Sequence, residues 1–202
     1  IEGGEKDAPI REDAARDIYA RSAFVLNSSH SDWARENRFI RSLKPVEAVQ
    51  ALVNSVRHPN DVSVHVRMEG GRKDEHLPYE STANWTEEDH DLIDLWRSRS
   101  HFSHFMKRID ALIAEGAADC IFIAADKPAT YEEFWRAYPG RFAWLERSLY
   151  DRSAEQLRYA LADAILLSRA PLFLGSTWSS FSELAQRLSL GGMTVEMSGR
   201  DF

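Results

Sequence analysis

The chain has 202 residues, 44% of them hydrophobic and 28% charged, enough for one sizeable core in a globular protein. Its formal net charge of −7 excludes a broad nucleic-acid surface, which needs a basic face, but leaves room for a few basic residues to hold a small anion. The single cysteine, Cys120, excludes an internal disulfide and sits in an apolar run as a small core residue; no apolar run reaches the roughly 18 residues of a membrane helix.

The chain begins at Ile1 rather than at a methionine, which points to a processed product or a piece of a longer protein. Residues 1–10 are polar and glycine-containing, an extended start. Residues 13–24 carry Ala14, Ala15, Ile18 and Tyr19 near helical spacing and predict a helix. Asn27-Ser28-Ser29 and Asn84-Trp85-Thr86 both fit the glycosylation acceptor rule, which matters only in a secreted protein. Residues 33–43 fit no single period. Residues 45–56 predict an amphipathic helix, with Pro45 in the first helical position and Val46, Val49, Leu52, Val53 and Val56 in one stripe.

After a turn at His58-Pro59-Asn60, residues 61–67 alternate Val62, Val64 and Val66 with Ser63, His65 and Arg67. That is a strand pattern in β-branched residues, ended by Gly70-Gly71. Residues 69–85 form a long charged loop. Thr86-Glu87-Glu88-Asp89 marks a helix start with acids at the positive end of the dipole, running to about residue 97. A second helix over residues 100–115 carries Phe102, Phe105, Met106, Ile109, Leu112 and Ile113 on one side and ends at Gly116. Residues 121–126 are a continuous apolar run closed by Asp126, the pattern of a buried parallel strand.

A helix over 130–138 stops at Pro139-Gly140, and a short strand follows over 142–145. The helix over 153–168, capped by Ser153, is expected to turn Leu157, Leu161, Ala164 and Ile165 inward. Strands over 171–175 and 193–197 flank a helix over 179–188. From residue 61 strands and helices alternate, which predicts an α/β fold: a Rossmann-like parallel sheet with helices on both faces. Residues 1–43 read as a mainly helical segment outside the sheet, and residues 44–202 as the Rossmann-like domain.

Three strand ends carry chemistry. His65 and Arg67 stand at the carboxyl end of the first strand, where open α/β sheets bind ligands and where a guanidinium fork suits a phosphate. Asp126 ends the second strand. Ser176-Thr177-Trp178-Ser179-Ser180-Phe181 leads from a strand into a helix start rich in hydroxyls, which serve equally as helix caps and as an anion cradle. Asp163 lies inside an apolar helix; facing solvent it is inert, and facing the cleft its oxygens suit the paired N–H donors of a guanine edge. No Gly-Lys-Ser phosphate loop and no Gly-x-Gly-x-x-Gly turn is present. His76, His90, His101 and His104 lack the spacing and the partners of a metal set, and the acids from Glu87 to Asp94 read as a solvated helix start.

Taken together, Val64-His65-Val66-Arg67, Ile123-Ala124-Ala125-Asp126 and Ser176-Thr177-Trp178-Ser179-Ser180-Phe181 resemble, in order and rough spacing, the GDP-fucose-dependent fucosyltransferases. That superfamily includes α1,6-fucosyltransferases, nodulation fucosyltransferases and protein O-fucosyltransferases. The resemblance covers about residues 40–190. It implies the carboxyl-terminal, donor-binding half of a two-lobed GT-B glycosyltransferase, with residues 1–43 a linker from, or remnant of, the other lobe. It further implies transfer of fucose from GDP-fucose to a glycan or protein hydroxyl, with inversion and without a cofactor or divalent metal. Arg67 would then be catalytic, holding the β-phosphate and stabilising the departing GDP. His65, Asp126, Asp163, Ser179, Ser180 and Phe181 would bind the donor, Asp163 at the guanine.

Two departures stand out. Several relatives carry a second basic residue straight after the arginine, where this chain has Met68; Arg72 or Lys73 of the loop would be the substitutes. No general base for the acceptor stands out, Glu69 and Asp74 being the nearest carboxylates. Two other readings stay open, a non-catalytic GDP-sugar-binding module and a transferase for another nucleotide sugar. The compartment stays open as well, the ER or Golgi lumen for a eukaryotic parent and the cytoplasm for a bacterial one.

Overall fold

A computed structural model describes residues 9–10, 15, 17–19, 26–57, 59–69, 86–148, 150 and 153–202. The helix predicted over 13–24, the loop over 70–85 and His76 lie largely or wholly outside the described residues. The described chain is built on five parallel strands in the order β3-β2-β1-β4-β5. These are β1 (Val62–Val66), β2 (Ile121–Ala125), β3 (Phe142–Ala143), β4 (Leu172–Gly175) and β5 (Thr194–Met197). Val64 of β1 stands level with Ile123 of β2 and Leu174 of β4, so the three longest apolar strands form the centre of the sheet.

Helices cover both faces, as the unbroken apolar strands require. On one face α4 (Phe102–Ala114) and α5 (Pro128–Ala137) pack Phe105, Ile109, Tyr131 and Phe134 against Val62, Val64 and Val66. On the other, α2 (Glu47–Asn54), α6 (Ala154–Leu167) and α7 (Ser180–Leu188) pack Val49, Val53, Leu166 and Ala185 against Phe122, Ala124 and Phe173. The pleat therefore sends the valines of β1 to the α4–α5 side and Ser63 and His65 to the α6–α7 side. There Ser63 Oγ donates to the Leu167 carbonyl at 2.7 Å.

Two further helices complete the chain. α1 (Trp33–Ser42), the stretch that fits no single period, is held to α7 by Arg187, which donates to Asn37 and Glu36 and lies over the Trp33 ring. α3 (Glu87–Arg99) starts at a reciprocal capping box between Thr86 and Asp89, as the acid-rich start predicts. No helix among the described residues is long and apolar enough to cross a membrane.

Two expectations are corrected. Pro45 is not a first-turn residue: the ladder begins at Val46, whose carbonyl takes both the Val49 and Gln50 N–H groups, so Val46 caps α2 and is 63% exposed. In α6 Ala164 is buried and Ile165 packs on the core as expected, but Leu157 and Leu161 are exposed, and Ala162, Asp163, Leu166 and Leu167 complete the inward face. Asp163 lies on the inward face and is paired there with Arg147. Cys120 is half-buried at the amino end of β2, where its N–H and carbonyl bond Asp61, at the opposite end of the sheet from the polar strand ends.

Candidate functional site

The chain runs outward from β1 through β2 to β3, then returns to the other side of β1 for β4 and β5. The strand order therefore reverses between β1 and β4. In sheets of this kind the crevice for a ligand opens outside the carboxyl ends of the two strands at that point. The residues at those ends are His65 at the end of β1 and Arg67 just after it, and Ser176 to Ser182 after β4.

A compact hydrogen-bond web joins the two ends. Ser176 Oγ donates to the His65 carbonyl at 2.9 Å and accepts the Arg67 N–H at 2.8 Å, locking the first turn after β1 to the first residue after β4. Ser182 Oγ accepts the Ser176 N–H at 3.1 Å and stands 2.8 Å from His65 Nδ1. Because Ser182 already accepts there, its own proton can go to Nδ1, which leaves the proton of a neutral ring on Nε2. The Phe181 ring lies 4.8 Å from the imidazole. Burial pushes the His65 pKa down to about 3, and the charges of Arg67 and Arg97 push the same way. At neutral pH His65 is thus an uncharged imidazole bonded to Ser182.

The turn that delivers these groups is itself constrained. Trp178 is held at φ 59°, a left-handed conformation unusual for a bulky residue, and its ring stacks on Trp96 of α3 with 6.5 Å between centroids. Thr177 Oγ1 donates to the Ser198 carbonyl at 2.7 Å, and Ser198 Oγ stands 2.8 Å from Ser100 Oγ at the end of α3. Ser179 caps α7 by accepting the Ser182 N–H, and Ser180 opens that helix as an exposed residue.

Asp126 joins the site from β2. Its carboxylate accepts the Met68 and Glu69 N–H groups, at 3.0 and 2.7 Å, and stands 3.7 Å from Arg67 Nε. Its oxygens face the backbone of the segment after β1, so it fixes the course of that segment and the base of the Arg67 side chain. The Arg67 side chain remains about a third exposed. Glu69 is paired with Lys127 at the same edge.

Asp163 is buried. Arg147 donates to its Oδ2 at 2.6 Å, with both side chains almost wholly enclosed, while Oδ1 is buried with no hydrogen-bond partner among the described residues. Burial pushes the Asp163 pKa up to about 7, the Arg147 guanidinium pulling the other way. The charge of Asp163 also acts on Tyr131, whose phenol brackets Ala125 by accepting its N–H and donating to its carbonyl. Asp163 therefore lies on the inward face of α6, enclosed with Arg147.

Sequence reasoning singled out seven residues. Five of them, His65, Arg67, Asp126, Ser179 and Phe181, are brought to this edge by bonds or contacts, and Ser180 follows at the same helix start. Asp163 stands apart with Arg147. Sequence reasoning missed Ser182, the hydroxyl that joins the two strand ends, and Arg147 and Arg97. For Ser182 a signal existed, since it falls three residues after the cap Ser179, on the first inward turn of α7. Among the described residues no three His, Cys, Asp or Glu side chains stand close enough to hold a metal ion, and His101 caps α4.

A reversed-order parallel sheet with an arginine, a neutral histidine and a hydroxyl-rich helix start at its switch point defines a Rossmann-like α/β half. No protein-family model matches the chain, and no curated protein sequence matches it. Solved structures do. NodZ α-1,6-fucosyltransferase soaked with GDP-fucose aligns at a TM-score of 0.51 and 15% identity, over 84% of this chain and 54% of that one. POFUT1 in complex with GDP aligns at 0.50 and 16%, over 86% and 55%. The chain spans about half the length of each. The fold is thus shared with fucosyltransferases and resembles one half of a GT-B glycosyltransferase.

Proposed function

We propose that this chain is the donor-binding half of a fucosyltransferase-like enzyme that transfers fucose from GDP-fucose to a glycan or protein hydroxyl, with inversion and without a metal. The observation that carries the reading is the Ser176–Ser182 web, which fixes Arg67 and His65 together at the one edge of the sheet where its strand order reverses. Leaving-group departure from a nucleotide sugar builds negative charge on the β-phosphate. A guanidinium carried there, on a backbone held by Ser176 and Asp126, stabilises that charge. Ser179 and Ser180 supply the open end of α7 to the phosphates, and Phe181 the apolar wall beside the nucleoside. Asp126 sets the segment that carries Arg67. The guanine role of Asp163 is carried by the resemblance alone, since its carboxyl is enclosed with Arg147.

Turnover tests this reading. The chain is incubated with GDP-fucose and a panel of glycan and peptide hydroxyl acceptors, with EDTA present, and released GDP is measured. Fucosylated product lost on Arg67→Ala is the expected result; product that requires an added divalent ion would overturn the metal-free mechanism.

A further inference from the structure

Helix α3 borders the same cleft and carries Arg97 on the face turned towards the sheet. His90, Ile93 and Ser100 are buried along one face of α3, and Arg97 lies on that face, seven residues after His90 and three before Ser100. The face is pinned across the β4–α7 turn on both sides of Arg97. Trp96 stacks on Trp178, and Ser100 Oγ meets Ser198 Oγ, which takes the Thr177 N–H at 3.4 Å. A third lock is Gly199, where a Cβ would stand 2.6 Å from Arg99 Cβ, so the end of α3 seats directly on the β5 turn. Arg97 is half-buried between these anchors, and its charge, like that of Arg67, is felt by the His65 imidazole.

The residue that follows Arg67 offers no such charge. Met68 turns into the α4–α5 core, where its sulfur accepts the Phe102 N–H. A nucleoside diphosphate brings more negative charge than one guanidinium fork neutralises, and the net −7 of the chain opposes its approach. We propose that Arg97 is the second phosphate-binding cation of this cleft, so that Arg67 from β1 and Arg97 from α3 hold a diphosphate between them. The inference rests on the donor-site reading given above.

The test compares the whole chain with Arg97→Gln, Arg97→Lys and Ser100→Ala by calorimetric titration of GDP, GMP and inorganic pyrophosphate. Arg97→Gln is expected to weaken GDP and pyrophosphate by about 10- to 100-fold and GMP several-fold less, with Arg97→Lys recovering part of the loss. Ser100→Ala, which loosens the seat of α3 without touching charge, is expected to leave the GDP-to-GMP ratio unchanged. Equal GDP affinity in wild type and Arg97→Gln, or an equal loss for GDP and GMP, overturns the role of Arg97 and leaves the donor-site reading standing. A wild-type chain that binds neither GDP nor pyrophosphate overturns both. Retained pyrophosphate discrimination with no preference for GDP over UDP overturns the guanine reading and upholds Arg97.

Discussion

At neutral pH the folded chain keeps His65 uncharged and holds Asp163 near the middle of its titration, and these two buried groups drive stability in opposite directions as pH changes. The His65 pKa is about 3 in the fold against 6.5 free, so the unfolded chain binds the extra proton between those values. Its contribution is complete above pH 6.5 and is lost as pH falls towards 3, a swing on the order of 5 kcal/mol. Asp163 has the reverse sign. Its pKa is about 7 in the fold against 3.8 free, so the folded chain binds the extra proton, and its contribution is complete below pH 3.8 and is lost as pH rises through 7. That swing is on the order of 4 kcal/mol. Between pH 4 and 6.5 the two slopes largely cancel, and the wild-type profile conceals them. Single substitutions expose each one. Relative to wild type, Asp163→Asn is expected to gain stability steadily from pH 4 to 7, whatever constant offset the orphaned Arg147 adds. His65→Gln is expected to lose stability relative to wild type from pH 3 to 6.5. Urea unfolding followed by circular dichroism at half-unit pH steps measures both differences. A difference curve flat to within about 1 kcal/mol, or sloping the other way, would refute the assignment of that group as buried and shifted.

Ser182→Ala removes the acceptor of the Ser176 N–H and the partner of His65 Nδ1 at once, and is expected to lower unfolding stability by about 1–3 kcal/mol and to weaken GDP binding in calorimetry. Gly175→Ala drives a methyl to within 2.8 Å of Met197 Sδ and Phe173 Cε1, so a loss of about 1–3 kcal/mol is expected in the same assay. Replacing Arg147 with Met strands the Asp163 carboxyl. It is expected to cost about 3–5 kcal/mol at pH 8 and less at pH 4, where Asp163 is protonated in the fold; a cost independent of pH would contradict the ion pair as described.

Much of this architecture is legible in local pattern. The Val62-Val64-Val66 alternation and the apolar run Ile121–Ala125 each state a strand whatever surrounds them, and the acids after Thr86 state a helix start. The strand ends followed from those strands, and with them His65, Arg67 and Asp126. What stayed hidden depends on partners distant in sequence. His65 reads equally as a solvated strand residue until Ser182, 117 positions on, encloses it. The burial of Asp163 in α6 depends on Arg147, a residue of an irregular segment, which the local pattern of α6 does not show. Arg97 sits on a helix whose acidic start suggests a solvated face, and only the Trp96–Trp178 stack and the Ser100–Ser198 contact show that the later turns lie against the sheet edge.

The most direct test of the donor site is calorimetric titration of the chain with GDP, with UDP and ADP as controls and EDTA present throughout, alongside Arg67→Ala. The account predicts selective, metal-independent GDP binding that Arg67→Ala weakens at least about 10-fold while its melting temperature stays within a few degrees of wild type. Preference for UDP or ADP, or GDP binding indifferent to Arg67, would contradict it.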